Sequence, residues 1–373
     1  MYSEYLTCVR MNSTETASNV SVSPCDAFND TTASKAGKTV AYAIIMLESL
    51  IGNSAIILVI FKTQRLRTTT NLLIANMAVS DLLMPLFAMP RTVTAVHFGA
   101  NRWLIGGNFG LAMCKLAPLL QDVSTAVSTQ SLVLIAIDRF YNVFYPVKAA
   151  VMSLKVAKVT IPFVWLIAVV LHSPYFYIYR IYIYKGEAYC LLNWSPPFAN
   201  DMQAQKIYFV LLFCLLFIFP FCVITALYTA VIVRLKRQQF PGQHQSEIAR
   251  KMREKRNRAI LQLSVVIVMV FVVCWTPFTT FVFLKFFKWD MPHCGRKNTA
   301  FITYFIAHSI SAINPCVYFL FSSNYRQGLK ELFSHVAPER FSCRVLPILD
   351  EEVLEMRARA RTFSTRVYGQ DFK

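Results

Sequence analysis

The side chains able to do chemistry in this chain are few, and most stand inside apolar stretches. Asp81 lies in one of them, where a carboxylate must be neutralised, hydrated or paired with a cation. Asp138 and Arg139 are adjacent and can hold each other as an ion pair. Gln121 precedes Arg139 by 18 residues, so on one helix the two share a face about 27 Å apart. Asp122, the next residue, can meet a ligand cation or make a polar contact with a neighbouring helix. Arg91 stands ten residues after Asp81, about 15 Å along a helix, where it can bind a ligand carboxylate or carbonyl or snorkel to the interface. Pro220 and Pro277 remove backbone hydrogen bonds and act as hinges or as tolerated kinks. The His residues are scattered, and no paired carboxylates or Ser-His-Asp arrangement falls in the apolar stretches, so the pattern is not that of an enzyme.

The elements that must position these groups follow from composition. Of 373 residues, 55% are hydrophobic and only 16% charged, which points to a chain solvated largely by lipid. The net charge of +18 does not indicate nucleic acid, because the positives sit between long apolar runs rather than on one polar face. Seven stretches, at about 39–62, 71–96, 111–144, 156–179, 207–234, 258–287 and 299–321, reach the roughly 20 residues that a helix needs to cross a bilayer. Lys62, Arg65 and Arg67 follow the first, Lys148, Lys155 and Lys158 the third, and nine Lys or Arg from Arg234 to Arg258 separate the fifth and sixth. Arg326, Lys330, Arg340 and Arg344 follow the seventh. The positive-inside rule makes that side cytoplasmic and the amino terminus external, although Lys35, Lys38, Lys285, Lys288, Arg296 and Lys297 lie on the other side.

Glycan acceptor sequences begin at Asn12, Asn19, Asn29 and Asn193, all on the predicted outer side. Residues 1–38 lack the pattern of a cleaved signal peptide, so the first span is expected to act as signal anchor. Cys8, Cys25, Cys114, Cys190 and Cys294 fall on the outer side or its rim, where disulfides persist, whereas Cys214, Cys222, Cys274 and Cys316 read as small apolar residues within spans. The odd outer count leaves the partners of Cys8, Cys25 and Cys294 open. There is no internal repeat and no inverted hydropathy symmetry of the kind transporters often have.

Short motifs fall in order on successive spans: Gly52-Asn53, Asp81, Cys114, Asp138-Arg139-Phe140, Trp165, Pro220 with Tyr228, Cys274-Trp275-Thr276-Pro277 and Asn314-Pro315-Cys316-Val317-Tyr318. Together, over about residues 40–335, they resemble the rhodopsin-like family of G-protein-coupled receptors. The resemblance implies an all-α seven-helix membrane bundle and no enzyme. It implies a sodium cluster of Asp81, Ser128, Ser311, Asn314 and Trp275 that favours the inactive state. Ile310 departs from the usual polar neighbour, and a protonated Asp81 bonded to Asn53 and Asn314 is the alternative. Arg139 would release Asp138 to receive a heterotrimeric G protein. Trp275 and Phe271 would act as transmission switch beside Pro277, and Tyr318 would turn inward toward Tyr228 and Arg139 on activation. The family's frequent acidic partner at the foot of span six is Asn257 here, with Glu254 a turn earlier. A disulfide between Cys114 and Cys190 is implied as well.

Where amine receptors carry an aspartate this chain has Gln121, and where opsins carry the retinal lysine it has His308. Glutamine at that site is similar to neuropeptide receptors of the RFamide, neuropeptide Y and orexin type, in which it hydrogen-bonds an amidated peptide end. Arg91, Gln121, Asp122, Thr125, Trp275, Phe283, Tyr304 and His308 are therefore the candidate ligand contacts, with Trp103 a further wall residue. Residues 322–335 have amphipathic helical spacing and resemble the family's eighth helix. The division is thus an external glycosylated tail 1–38, a bundle 39–321, that helix, and a cytoplasmic tail 336–373. Cys343 is a palmitoylation candidate, and Thr362, Ser364 and Thr365 are sites for a receptor kinase and hence arrestin. Basic residues of the third inner loop would face anionic lipid. The rival readings are a receptor of the same fold for a lipid or other small molecule anchored by Arg91, and a transporter or channel using the Asp81 region as an ion path.

Overall fold

The computed structural model describes residues 9–10, 21–22, 30–145, 153–196, 198–237, 247–288 and 297–334; the side chains of 9–10, 21–22, 236–237, 247–260, 297 and 333–334 fall outside the description. The calls on Cys8, Asn12, Asn19, Cys25, Asn29, Cys294, Cys343, Thr362, Ser364 and Thr365, and on the side chains of Glu254 and Asn257, lie outside the described residues. The chain falls into two compact units, Met1–Leu329 and Lys330–Lys373. The first holds all seven spans; of the second, residues 330–334 are described, as the end of a helix.

Among the described residues, seven helices are long and apolar enough to cross a membrane: Thr32–Lys62, Thr69–Phe98, Gly107–Phe144, Leu154–Ile178, Asp201–Leu235, Leu261–Phe287 and Asn298–Phe321. Several begin earlier than hydropathy alone indicates, because polar caps extend them past the apolar run. The Thr31 side chain accepts from Ser34 N at 3.2 Å, and Asn200 accepts from Gln203 N at 3.0 Å ahead of span five. Span six continues a helix that starts at Glu247 and carries the basic stretch with it. Large apolar side chains cover the outside, Ile51 being 69% exposed and Leu320 71%, a surface that lipid solvates and water does not.

The prolines show why certain motifs come together. Pro315 has no N–H, which frees the carbonyl of Ser311, and the Asn53 amide donates to that oxygen at 2.8 Å. Gly52 makes the approach possible, since a Cβ there would lie 2.7 Å from Pro315 Cβ. Around Pro277 the hydroxyls of Thr276 and Thr279 donate to Val272 O at 2.7 Å and Trp275 O at 3.0 Å. Pro220 follows a π-helical turn over Cys214–Ile218, and Met84–Ala88, with Pro85, is a second such turn in span two. Trp165 Nε1 donates to Asn76 Oδ1 at 2.8 Å and Asn76 Nδ2 to Ser131 Oγ at 3.0 Å, joining spans four, two and three.

Strands Tyr179–Tyr184 and Glu187–Leu192 form an antiparallel hairpin over one end of the bundle, with Ile181 opposite Cys190. The expected disulfide joins Cys114 to Cys190, with 5.8 Å between the Cα atoms. Cys190 N also donates to Asn101 O, and Trp103 N to Ala188 O, both at 2.9 Å, so the hairpin is fastened to the loop before span three. A shorter helix, Ser323–Ser334, follows span seven. Its Gly328 is seated where a Cβ would lie 2.6 Å from Val59, and Tyr325 donates to Asn71 Oδ1 at 2.9 Å. Burial raises the Tyr325 phenol above its ordinary value, so it stays a donor there.

Candidate functional site

Toward the disulfide end, spans three, six and seven enclose a cavity lined by Gln121, Asp122, Trp275, Phe278, Tyr304, Ala307 and His308. Gln121 and Asp122 reach it because span three is one continuous helix from Gly107 to Phe144. Gln121 Nε2 donates to Asp122 Oδ1 at 3.4 Å, while Gln121 Oε1 is buried with no hydrogen-bond partner among the described residues. The other Asp122 oxygen accepts from the Tyr175 hydroxyl at 2.5 Å. Aromatic rings supply the opposite wall: Phe278 and Tyr304 have centroids 4.8 Å apart, and Trp275 meets Phe278 edge-on at 5.7 Å. His308 Nδ1 lies 3.2 Å from the Tyr42 hydroxyl, tying the wall to span one. A buried acceptor without a donor, beside a carboxylate, is chemistry suited to a ligand rich in N–H groups.

Of the residues proposed for the ligand from sequence, Gln121, Asp122, Trp275, Tyr304 and His308 line this cavity and three do not. Phe283 points to span five, with ring centroids 5.1 Å from Phe209 and 4.9 Å from Phe213, because an aromatic cluster there takes it up. The Arg91 guanidinium lies over the Tyr179 ring at 5.8 Å, a cation–π contact that draws it to the hairpin. Thr125 is buried a turn from Gln121, its hydroxyl 3.4 Å from Gln121 O. Trp103 is likewise absent from the wall and donates to Gly110 O at 2.9 Å. Phe278 and Ala307 were missed, yet Phe278 is one turn after Trp275 and Ala307 adjoins His308.

Midway along the bundle, Asp81 accepts from Ser128 at 3.1 Å and from Asn314 at 2.7 Å. Asn314 Oδ1 is buried and has no partner among the described residues. No hydrogen bond joins Asn53 to Asp81: Asn53 Nδ2 donates to Ser49 O and Ser311 O, and its Oδ1 is buried with no partner among the described residues. The Ser311 hydroxyl donates to His308 O at 3.0 Å.

At the far end, Arg139 bonds the Asp138 carboxylate and the Thr70 hydroxyl, and Thr70 itself donates to Asp138 at 2.7 Å. Asp138 is buried, so the three groups form a closed cluster between spans two and three. Tyr318 does not face Tyr228 here. Its hydroxyl meets Met77 Sδ at 3.9 Å, and its ring lies 5.7 Å from Tyr325. Between the two ends Phe271 packs on Phe217 at 5.9 Å, Phe221 at 5.8 Å and Trp275 at 6.1 Å, a ring column that spans five and six share. Of the four glycan sites only Asn193 is described; it is half-buried at the exit of the hairpin, with Nδ2 donating to the Tyr182 hydroxyl at 2.9 Å.

Known proteins resemble the chain in sequence. The chain is 29% identical to the substance-P receptor of Aquarana catesbeiana over 79% of its length and 70% of that receptor's. It is 29% identical to a QRFP-like peptide receptor of Branchiostoma floridae, over 82% of this chain and 81% of the relative. It is 30% identical to the RYamide receptor of Drosophila melanogaster, over 81% and 64% respectively. The family model of seven-transmembrane receptors of the rhodopsin type matches residues 52–318, the stretch that carries every motif from Gly52 to Tyr318. With seven membrane-spanning helices, the bridged hairpin and the Asp138–Arg139 pair in place, the chain belongs to the rhodopsin family of G-protein-coupled receptors, multi-pass membrane proteins and not enzymes.

Proposed function

We propose that the chain is a receptor for an amidated peptide, presented from the disulfide end and reported to a heterotrimeric G protein at the arginine end. The observation that carries this reading is the buried, unpartnered Gln121 Oε1 at the cavity wall, next to the Asp122 carboxylate. A peptide amide brings the donor that Gln121 Oε1 lacks, and a ligand cation would be attracted by the Asp122 carboxylate beside it. The peptides named for the relatives support the class, though not its member. The alternative ligand, a lipid or small anion held by Arg91, is less well supported, because that guanidinium lies over Tyr179 away from the cavity wall.

In this reading the amino terminus and its glycan acceptors Asn12, Asn19, Asn29 and Asn193 face outward, as the basic segments on the other side require. The inner side meets the G protein, arrestin, a receptor kinase and anionic lipid, and Cys343 is a palmitoylation site. An allosteric sodium ion fits the Asp81 cluster: the Asp81 carboxylate, the Ser128 hydroxyl and the unpartnered Asn314 Oδ1 supply hard oxygen donors, with Ser311 adjacent. Bound there, it would add a positive charge that favours the closed arrangement. Raising sodium should then weaken peptide affinity, and Asp81→Asn should remove that dependence; a wild-type response in the variant would reject the site.

The test of the ligand is a panel of amidated peptides, lipids and amines applied to cells expressing the full chain, read as G-protein nucleotide exchange. Activation by at least one amidated peptide, weakened when its amide is replaced by an acid, is expected. No response to any peptide would end the reading.

A further inference from the structure

Asp122 brings a negative charge to the cavity wall, and among the described residues no Lys or Arg lines that wall or forms an ion pair with it. The rings of Trp275, Phe278 and Tyr304 on the opposite side add the negative faces of their π systems. The cavity therefore attracts a positive charge and supplies none. The Asp122 carboxylate is held from span four: one oxygen accepts from the Tyr175 hydroxyl at 2.5 Å, while the other has only the 3.4 Å contact from Gln121 Nε2.

Tyr175 is placed by the way span four ends. Its regular helix stops at His172, and after Ser173 and Pro174 a further turn, Tyr175–Ile178, leads into the hairpin. Pro174 has no N–H to continue the helical ladder, so the turn starts afresh there. Tyr175 is fully buried, with its ring 5.6 Å from His172, 5.2 Å from Tyr179 and 6.1 Å from Tyr208. The Tyr208 hydroxyl donates to Leu171 O at 2.8 Å and His172 Nδ1 lies 2.8 Å from Ala168 O, so neither is spent on Asp122. Three neighbouring rings thus fix where the Tyr175 hydroxyl stands, and a fixed donor fixes the carboxylate that it bonds.

We propose that Tyr175 is a positioning residue that makes Asp122 a guanidinium subsite: by holding one carboxylate oxygen it presents the other to a cationic side chain of the bound peptide. This rests on the reading that an amidated peptide end enters the cavity, and it adds what that peptide must carry near the end. Because Gln121 and Asp122 are consecutive, the cation must stand within a residue or two of the amide. A guanidinium suits the place better than an ammonium, since it is more weakly hydrated and keeps N–H groups to spare for a neighbouring acceptor.

The probes are amidated hexapeptides, identical except at the second and third residues from an aromatic end, where arginine, citrulline or glutamate is placed in turn; citrulline keeps the shape of arginine without its charge. They are applied to cells expressing the full chain at matched surface levels, with G-protein nucleotide exchange as the readout. The parent chain should respond to the best arginine peptide at a concentration about tenfold lower than to its citrulline counterpart. Tyr175→Phe, which keeps the ring contacts, should cut that preference to about threefold or less and leave citrulline potency within about twofold, whereas a ring that served only to pack would cost both peptides alike. In an Asp122→Asn background, where the preference should be gone, Tyr175→Phe should change nothing further. An unchanged arginine preference in Tyr175→Phe, or an equal loss for both peptides, overturns the proposal. So does a parent chain that responds to amidated peptides without preferring arginine. Silence toward every peptide overturns the ligand class itself, and this subsite with it.

Discussion

At one end of span three Gln121 keeps a buried acceptor with no donor, while five turns away Arg139 is held by both Asp138 and Thr70. The same helix therefore carries an acceptor with no donor at one end and, at the other, a guanidinium that is ion-paired and hydrogen-bonded through one terminal nitrogen although its Nε has no partner among the described residues. The difference has a direction: free energy is gained by filling the first, and the second can change only by giving up hydrogen bonds it already has. A ligand that fills the cavity and prefers a rearranged column of Phe271 and Trp275 can supply what opening the arginine end costs, provided it binds the open state more tightly by several kcal/mol.

Arg139→Ala should abolish G-protein activation, by about a hundredfold or more, while labelled-peptide binding on intact cells persists, because the cavity is about 27 Å away. Retained signalling would break the comparison at its closed end. Gln121→Ala should lower peptide potency roughly 10- to 100-fold without altering surface expression, since a hydrogen bond to a buried group is lost. Unchanged potency would show that the open end is not where the ligand sits. Thr70→Ala should raise basal nucleotide exchange about 2- to 10-fold, because Asp138 loses one of its two donors and the closed cluster weakens by a hydrogen bond. A basal rate at the wild-type level would mean that Thr70 does not help to hold Arg139 in place.

Much of this was legible in the sequence because lipid is a simple solvent. Hydropathy finds the spans, and the positions of Cys114, Asp138, Arg139 and the prolines mark their depth and ends. What was not legible depends on which way a side chain turns in a packed helix. Phe283 and Phe278 are five residues apart on one helix, yet only Phe278 faces the cavity while Phe283 joins Phe209 and Phe213. Arg91 offered a charge at the right depth, but the hairpin places Tyr179 where the guanidinium can lie over it. That Asn53 serves the carbonyl freed by Pro315 follows only once spans one and seven are known to touch, although Gly52 beside it is a signal of close approach. Tyr175 was overlooked because nothing along the chain shows that the turn after Pro174 brings its hydroxyl to Asp122.

Coupling between the two ends is most directly tested by the distance across the arginine end, from spin labels at Tyr145→Cys beyond span three and Gln262→Cys in span six. Saturating activating peptide should lengthen it by several ångström, and the same concentration should do markedly less in a Gln121→Ala background. A distance that stays fixed while the peptide is bound and the G protein responds would contradict the coupling.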